Sequence, residues 1–258
     1  MKTPKVLDDL RQLKAITAAR IGLPRAGSSI ATDEILSFDL DHARARDAVH
    51  LPFQVEAIMQ QLAARQLPAI QVHSAASDRT VYLQRPDLGR QLDKASQQRL
   101  ADVQPDCKGD VDLVIVIADG LSTSAIHTNA IPLIDALLPR VTAQGLSLAP
   151  VIVASQARVA IADEIGEWLK ARVSINLIGE RPGLSSSDSL GIYLTYGPRQ
   201  GCTDAERNCI SNIRQGGLSP KQAVRLLENL LTSALRLRLS GVQLKDDSSL
   251  LENQGNSD

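Results

Sequence analysis

Four stretches of the sequence carry residue types able to hold or transform a ligand. ADGLSTSAIH sets Asp119 and Gly120 in a turn, with Ser122 and Ser124 near a helix start. Free backbone N–H groups there suit an anion or a polar ligand edge, while the same serines serve equally as plain helix caps. ASQARVAIADEIGE puts Gln156, Arg158 and Val159 between a strand and a helix. Arg158 reads as a solvated or helix-pairing charge, with donation to an amide or phosphate oxygen as the alternative, and Val159 offers an apolar face to a flat ligand. IGERPGLSSSDSLG places Glu180 just past an apolar run and follows it with a row of turn-forming serines. Its carboxylate suits ligand amides or hydroxyls, or a pair with Arg181. The serine loop is either a low-relief contact surface or a capped solvent loop. TDAERNCIS carries a Thr-x-x-Glu capping pattern, which predicts a short helix displaying Arg207, Asn208 and Cys209.

These stretches do not assemble into a self-sufficient catalyst. A nucleophilic Cys209 needs a neighbouring base, and the four histidines, His42, His50, His73 and His127, are scattered far from it in sequence. There is no HExxH, no GxGxxG and no GxxxxGK[ST], so the zinc-hydrolase, dinucleotide and P-loop readings lack their fingerprints. The three cysteines, Cys107, Cys202 and Cys209, have no CxxC spacing and suggest a reducing cytosol. A net charge of −1 and an aromatic content of 2% argue against a nucleic-acid grip, which uses basic faces and stacking platforms. No apolar run is long enough to span a membrane.

The elements that must position these residues follow from periodicity. Lys5–Arg20 has helical spacing, and RIGLPRAGSSIAT reads as a loop. Phe38–Arg65 reads as one or two helices joined at Leu51-Pro52. AIQVHSAASDRTVYLQRPDLG reads as two short strands around Ser-Asp, with Pro86 opening a further helix. From Asp110 the texture changes. DLVIVIADG, LAPVIVASQ and SINLIG are β-branched runs suited to strands buried on both faces, separated by helices over about 122–138, stopped by Pro139, and about 161–172. LGIYLTYGP is a further strand, Ser219–Leu239 a capped helix that Gly241 can end, and the tail after it frays. The fold class is therefore α/β: a doubly wound parallel sheet over about 110–241, preceded by a helical, loop-rich arm. Ligands of such sheets sit at the carboxyl ends of the strands, which selects residues 118–124, 154–160 and 179–189.

RIGLPRAGSS, FDLDHARARDAVH, SDRTVYLQRPDLGR, DLVIVIADGLS, LIGERPGLSSSDSLGIYLTY and TDAERNCISNIR, in this order, resemble the small subunit of ethanolamine ammonia-lyase. The resemblance runs from about Arg20 to Gly241. It implies one subunit of an adenosylcobalamin-dependent lyase that converts ethanolamine to acetaldehyde and ammonia in ethanolamine degradation. A TIM-barrel large subunit would carry the substrate site and most catalytic residues, so no catalytic residue is assigned to this chain. It further implies an N-terminal helical arm and subunit-contact region over 1–109 and a Rossmann-like, cobalamin-contacting domain over 110–258. By motif, the cobalamin contacts fall on Val159, Glu180 and Cys209, with Arg158 added as Val159's neighbour. Ser185–Ser187 are set for the corrin amides or for packing against the large subunit. No DxHxxG signature is present, which suggests that the cofactor keeps its own benzimidazole on cobalt. The segment before Arg20 is short beside the extension some members carry, so the expected compartment is the cytoplasm, with a bacterial microcompartment as the alternative. The competing expectations are a self-sufficient Rossmann-like metabolite-binding enzyme and a non-catalytic assembly subunit.

Overall fold

The computed structural model describes residues 16–17, 19–103 and 111–244. Most of the helix expected over 5–20, Cys107 and the C-terminal tail lie outside these residues. The loop reading of RIGLPRAGSSIAT gives way to a small antiparallel hairpin, β1 (Arg25–Ala26) and β2 (Ser29–Ile30), turned at Gly27 with φ +63°. Helix α1 (Thr32–His50) follows, then α2 (Val55–Ala63), so the predicted helical region divides at Leu51-Pro52 as expected. The two behave differently. Helix α2 buries Val55, Ile58 and Leu62 at helical spacing, whereas α1 buries only Ala48 and leaves Ile35, Leu36, Phe38 and Leu40 exposed.

The main sheet has six strands in the order β3-β5-β4-β6-β7-β8. They are β3 (Ala69–His73), β4 (Val111–Ala118), β5 (Val151–Ser155), β6 (Ala171–Gly179), β7 (Leu190–Tyr196) and β8 (Arg207–Ile213). The first four run parallel to one another; β7 is antiparallel to β6, and β8 to β7. The expectation of a parallel sheet therefore holds for four strands and fails for the last two. The reason lies in the connections. A parallel return needs a crossover of about a dozen residues or more, usually through a helix. Only residues 180–189 join β6 to β7 and only 197–206 join β7 to β8, with no α-helix in either. The sheet also takes its edge strand β3 from residues ahead of position 110.

The rest of the chain explains why the sheet is buried on both faces. Between β3 and β4 lie α3 (Arg79–Gln84) and α4 (Lys94–Val103), and after β4 comes α5 (Thr123–Ala143). Helix α6 (Ile161–Trp168) joins β5 to β6, and α7 (Pro220–Leu237) closes the chain. Leu113, Ile115 and Ile117 of β4 pack with α2, α5 and α7, while Val114, Val116 and Ala118 pack with α4 and α6. All six are 0% exposed. At about 1.5–3 kcal/mol for each large buried aliphatic side chain, β4 and its neighbours fix the register on which the strand ends depend.

Three local expectations are corrected. The second strand around Ser-Asp is helix α3, because Asp78 caps it: the side chain accepts from the N–H of Val81 at 2.9 Å. Pro139 does not stop α5, which runs through Pro132 and Pro139 to Ala143. The buried row Ile131, Leu133, Ile134, Leu137 and Val141 outweighs the lost backbone bonds. The Thr203–Glu206 capping box is real, yet it opens only a single 3₁₀ turn. Cys209 therefore sits on edge strand β8 rather than on a helix. Among the described residues no helix is long and apolar enough to cross a membrane.

Candidate functional site

The carboxyl ends of β4, β5 and β6 open onto one cleft of about 370 Å³. Gly120 and Leu121 come from the end of β4, Arg158 and Val159 from the end of β5, and Ile178 to Arg181 from the end of β6. Tyr82 of α3 and Tyr193 of β7 complete it. Recesses of about 500 and 510 Å³ exist beside α1 and at the end of α7, but neither lies at the strand ends. Both are larger, and it is the convergence of three strand ends that singles out this cleft.

Glycines set the close approach. Gly120 has φ +58°, and a Cβ on it would lie 2.2 Å from the carbonyl oxygen of Gly179. A Cβ on Gly179 would lie 2.1 Å from the carbonyl oxygen of Ser122. The N–H of Leu121 donates to the carbonyl of Gly179 at 2.9 Å, so the ends of β4 and β6 are stitched backbone to backbone.

Beneath them lies Asp119, buried and accepting from the N–H groups of Gly120 (3.0 Å), Gln156 (3.0 Å) and Ala157 (2.9 Å). Burial pushes its carboxyl up to about 6, against the pull of these N–H donors and of Arg79, all of which favour the carboxylate form. The Asp119-Gly120 turn is thus a tie between the β4 and β5 loops. Ser122 is the plain cap of α5, accepting from the N–H of Ala125 at 3.2 Å.

Three of the four residues expected from the sequence meet in this cleft. The backbone N–H of Arg158 donates to Gly89 at 2.7 Å, and its Nη2 donates to the Tyr82 carbonyl at 3.1 Å. The guanidinium carbon lies 4.1 Å from the Tyr82 ring centroid. Its Nε is buried without a hydrogen-bond partner among the described residues. Val159 is half-buried, and its carbonyl accepts from Asn176 Nδ2 at 3.1 Å. Glu180 is half-buried; its Oε2 accepts from the Ser189 hydroxyl at 2.5 Å and from the N–H of Asn212 at 3.2 Å. The side chain can lie there because position 191 is glycine: a Cβ would meet Glu180 Oε1 at 2.9 Å.

Cys209 stands just outside the cleft lining, opposite Tyr193 in the β7–β8 register. Cys209 is exposed as a residue, but partial desolvation of its sulfur pushes the thiol up, the hydrogen bond with Tyr193 pulls it down, and the Glu180 charge adds to the rise. The site therefore presents a neutral thiol, suited to contact and not to nucleophilic attack. At about pH 8, Cys209 is expected to react with iodoacetamide more slowly in the folded chain than in urea, as read by peptide mapping; equal rates would contradict a raised thiol.

The serine loop is anchored on the body of the fold. The carbonyl of Ser187 accepts from the hydroxyls of Ser122 (2.6 Å) and Ser124 (3.3 Å), and Asn129 Nδ2 donates to the Asp188 carbonyl at 2.9 Å. The loop is bound down onto the start of α5, and Ser185 lines the recess beside α1 rather than the cleft.

Sequence reasoning missed Arg79, Tyr82, Gly89 and Tyr193. One signal was available. The chain has only three tyrosines, and two of them line this cleft. Among the described residues no three His, Cys, Asp or Glu gather as metal ligands.

Fold and cleft together define a mixed α/β protein whose strand ends open onto a cleft with no nucleophile–base pair beside it among the described residues. The family model for the ethanolamine ammonia-lyase light chain (EutC) matches residues 7–245. The ethanolamine ammonia-lyase small subunit of Azotobacter vinelandii is 52% identical over 254 residues, spanning 98% of this chain and 94% of that protein. The protein of that name from Pseudomonas aeruginosa strain PAO1 is 53% identical over 238 residues, 92% and 87% of the two chains. That of Pseudomonas fluorescens strain SBW25 is 51% identical over 255 residues, 97% and 92%. The chain belongs to the ethanolamine ammonia-lyase light chain family.

Proposed function

We propose that this chain is the small subunit of an adenosylcobalamin-dependent ethanolamine ammonia-lyase and holds one side of the corrin at the strand-end cleft. The observation that carries the reading is the convergence of Arg158, Val159 and Glu180 on one cleft, with Cys209 next to it across Tyr193. The residues present suit a flat ligand with amide arms. Val159, Leu121 and Ile178 offer apolar surface, Arg158 Nε is a buried donor without a partner among the described residues, and Gly120 and Gly179 keep the floor low. Glu180 acts as a hydrogen-bond acceptor, positioned by Ser189 and Asn212, and Cys209 as a small neutral contact. On this reading residues 110–258 are the Rossmann-like, cobalamin-contacting domain, to which β3 adds an edge strand from ahead of it.

A corrin with its amide arms is too large to be enclosed by about 370 Å³, so its remaining surface must meet another protein. That partner is the large subunit, which carries the substrate chemistry. Helix α1, with Ile35, Leu36, Phe38 and Leu40 exposed, supports the N-terminal region as the subunit contact. Held by Arg158, Val159, Glu180 and Cys209 on this side, a bound adenosylcobalamin would supply the radical chemistry of deamination. This chain's part is to bind, to orient and to keep water from one side of the ring. The proposed compartment is the cytoplasm, with packaging in a bacterial microcompartment as the alternative.

The test is co-expression with the large subunit, followed by an adenosylcobalamin-dependent acetaldehyde assay and an absorbance titration with cobalamin. Activity is expected only from the complex. Val159→Glu, which forces a carboxylate against an apolar ligand face, is expected to raise the dissociation constant at least about tenfold. Glu180→Gln is expected to raise it about fivefold, the worth of one hydrogen bond. Turnover by the isolated chain, or titrations unchanged by both substitutions, would overturn the proposal.

A further inference from the structure

Arg79 has no place in the cofactor reading, yet it reaches more of the cleft's foundations than any residue that lines it. It stands at the start of α3, and its side chain is 17% exposed. Nε donates to the Val49 carbonyl at the end of α1 at 2.7 Å. Nη1 donates to the Gly120 carbonyl at 2.9 Å, to Asp119 Oδ2 at 3.3 Å and to Gln156 Oε1 at 3.4 Å. Its guanidinium carbon also lies 4.7 Å from the Tyr82 ring centroid, the ring that carries Arg158.

The geometry has a consequence for the ligand edge. The N–H groups of Gln156 and Ala157, which immediately precede Arg158 and Val159, end on Asp119. Asp119 is a buried carboxylate, and Arg79 is the cation paired with it. The guanidinium reaches the Val49 carbonyl through Nε and the Gly120, Asp119 and Gln156 oxygens through Nη1; the single nitrogen of an ammonium cannot stand at both positions. Taking the cleft as the cofactor contact, we infer that Arg79 is a positioning residue. It locks the Asp119-Gly120 and Gln156-Ala157 turns to each other, and so fixes where Arg158 and Val159 meet the corrin. It acts through those turns and does not line the cleft, although its Nη2 is buried without a hydrogen-bond partner among the described residues.

The test uses the complex of this chain with the large subunit. Arg79→Met and Arg79→Lys are compared by size-exclusion chromatography, by hydroxocobalamin absorbance titration and by amide hydrogen exchange over residues 154–160. Leu231→Ala, in the core on α7, is the control that loosens the fold away from the strand ends. Arg79→Met is expected to assemble, to speed exchange at Gln156 and Ala157, and to raise the dissociation constant about tenfold. Arg79→Lys is expected to fall between wild type and Arg79→Met, at about threefold. Leu231→Ala should leave the dissociation constant unchanged. If Arg79→Met does not assemble, the inference stands or falls on Arg79→Lys, and an unchanged dissociation constant there overturns it. Faster exchange without weaker binding, or an equal loss from Leu231→Ala, also overturns it by reducing Arg79 to a stability residue. The two readings fail separately. Binding unaffected by Val159→Glu and Glu180→Gln removes the cofactor reading, whereas binding weakened by those two but not by Arg79→Met removes only the positioning role.

Discussion

Asp119→Ala is expected to destabilise the chain by about 3–5 kcal/mol, the usual cost of removing one partner of a buried ion pair. The carboxylate is nearly inaccessible and has four donors directed at it: the N–H groups of Gly120, Gln156 and Ala157, and Nη1 of Arg79. Alanine leaves all of them without that acceptor and strands the Arg79 charge in a site that is 17% exposed. The loss falls on two turns, not on the core, because β4 and β5 remain paired through Val116–Ala118. Urea denaturation measures the stability. Proteolysis or hydrogen exchange over 118–122 and 154–160 should show that the opening is local to the cleft. A change below about 1 kcal/mol would mean that water or a shifted loop replaces the carboxylate.

The parts of this fold that the sequence announces are those fixed by local periodicity. β4, β5 and β6 are continuous β-branched runs because each is covered on both faces, and the cap and amphipathic stripe of α7 are complete within its own residues. Arg158, Val159 and Glu180 became candidates because position after a strand is itself information in a parallel sheet. What stayed hidden depends on partners far away in sequence. Helix α3 is too short to display a period, and its cap Asp78 looks like a hairpin turn until the chain around it is placed. Arg158 meets the Tyr82 carbonyl across 76 residues, and Arg79 meets Gln156 across 77. Gly89 is glycine because a Cβ there would press on Arg158 Cγ at 2.8 Å, a constraint that no motif around Gly89 expresses. The direction of β7 and β8 was open to inference, since connections as short as 180–189 and 197–206 leave no room for a crossover.

Gly179→Ala should be among the most damaging single-methyl changes at the cleft, costing at least about 3 kcal/mol, the upper end of the overpacking range. Its backbone does not require glycine; the space does. A methyl group there would lie 2.1 Å from the Ser122 carbonyl oxygen and 2.6 Å from that of Asp119. Both obstacles are backbone, so no rotamer change relieves them, and the ends of β4 and β6 must part. That separation breaks the bond from the Leu121 N–H to the Gly179 carbonyl and carries Glu180, the next residue, away from Ser189 and Asn212. Gly145→Ala is the matched comparison. Gly145 has φ +66° with nothing within 4 Å of a Cβ, so alanine there meets only left-handed strain, about 1–2 kcal/mol. Paired thermal melts separate crowding from strain, and cobalamin titration of the two complexes separates both from function. Gly145→Ala should bind as wild type does, while Gly179→Ala should lose more affinity than Glu180→Gln because it displaces the whole β6 edge rather than one hydrogen bond. A Gly179→Ala chain as stable as Gly145→Ala would show that the two strand ends are free to move apart, and a cleft built on their contact would then have no fixed floor.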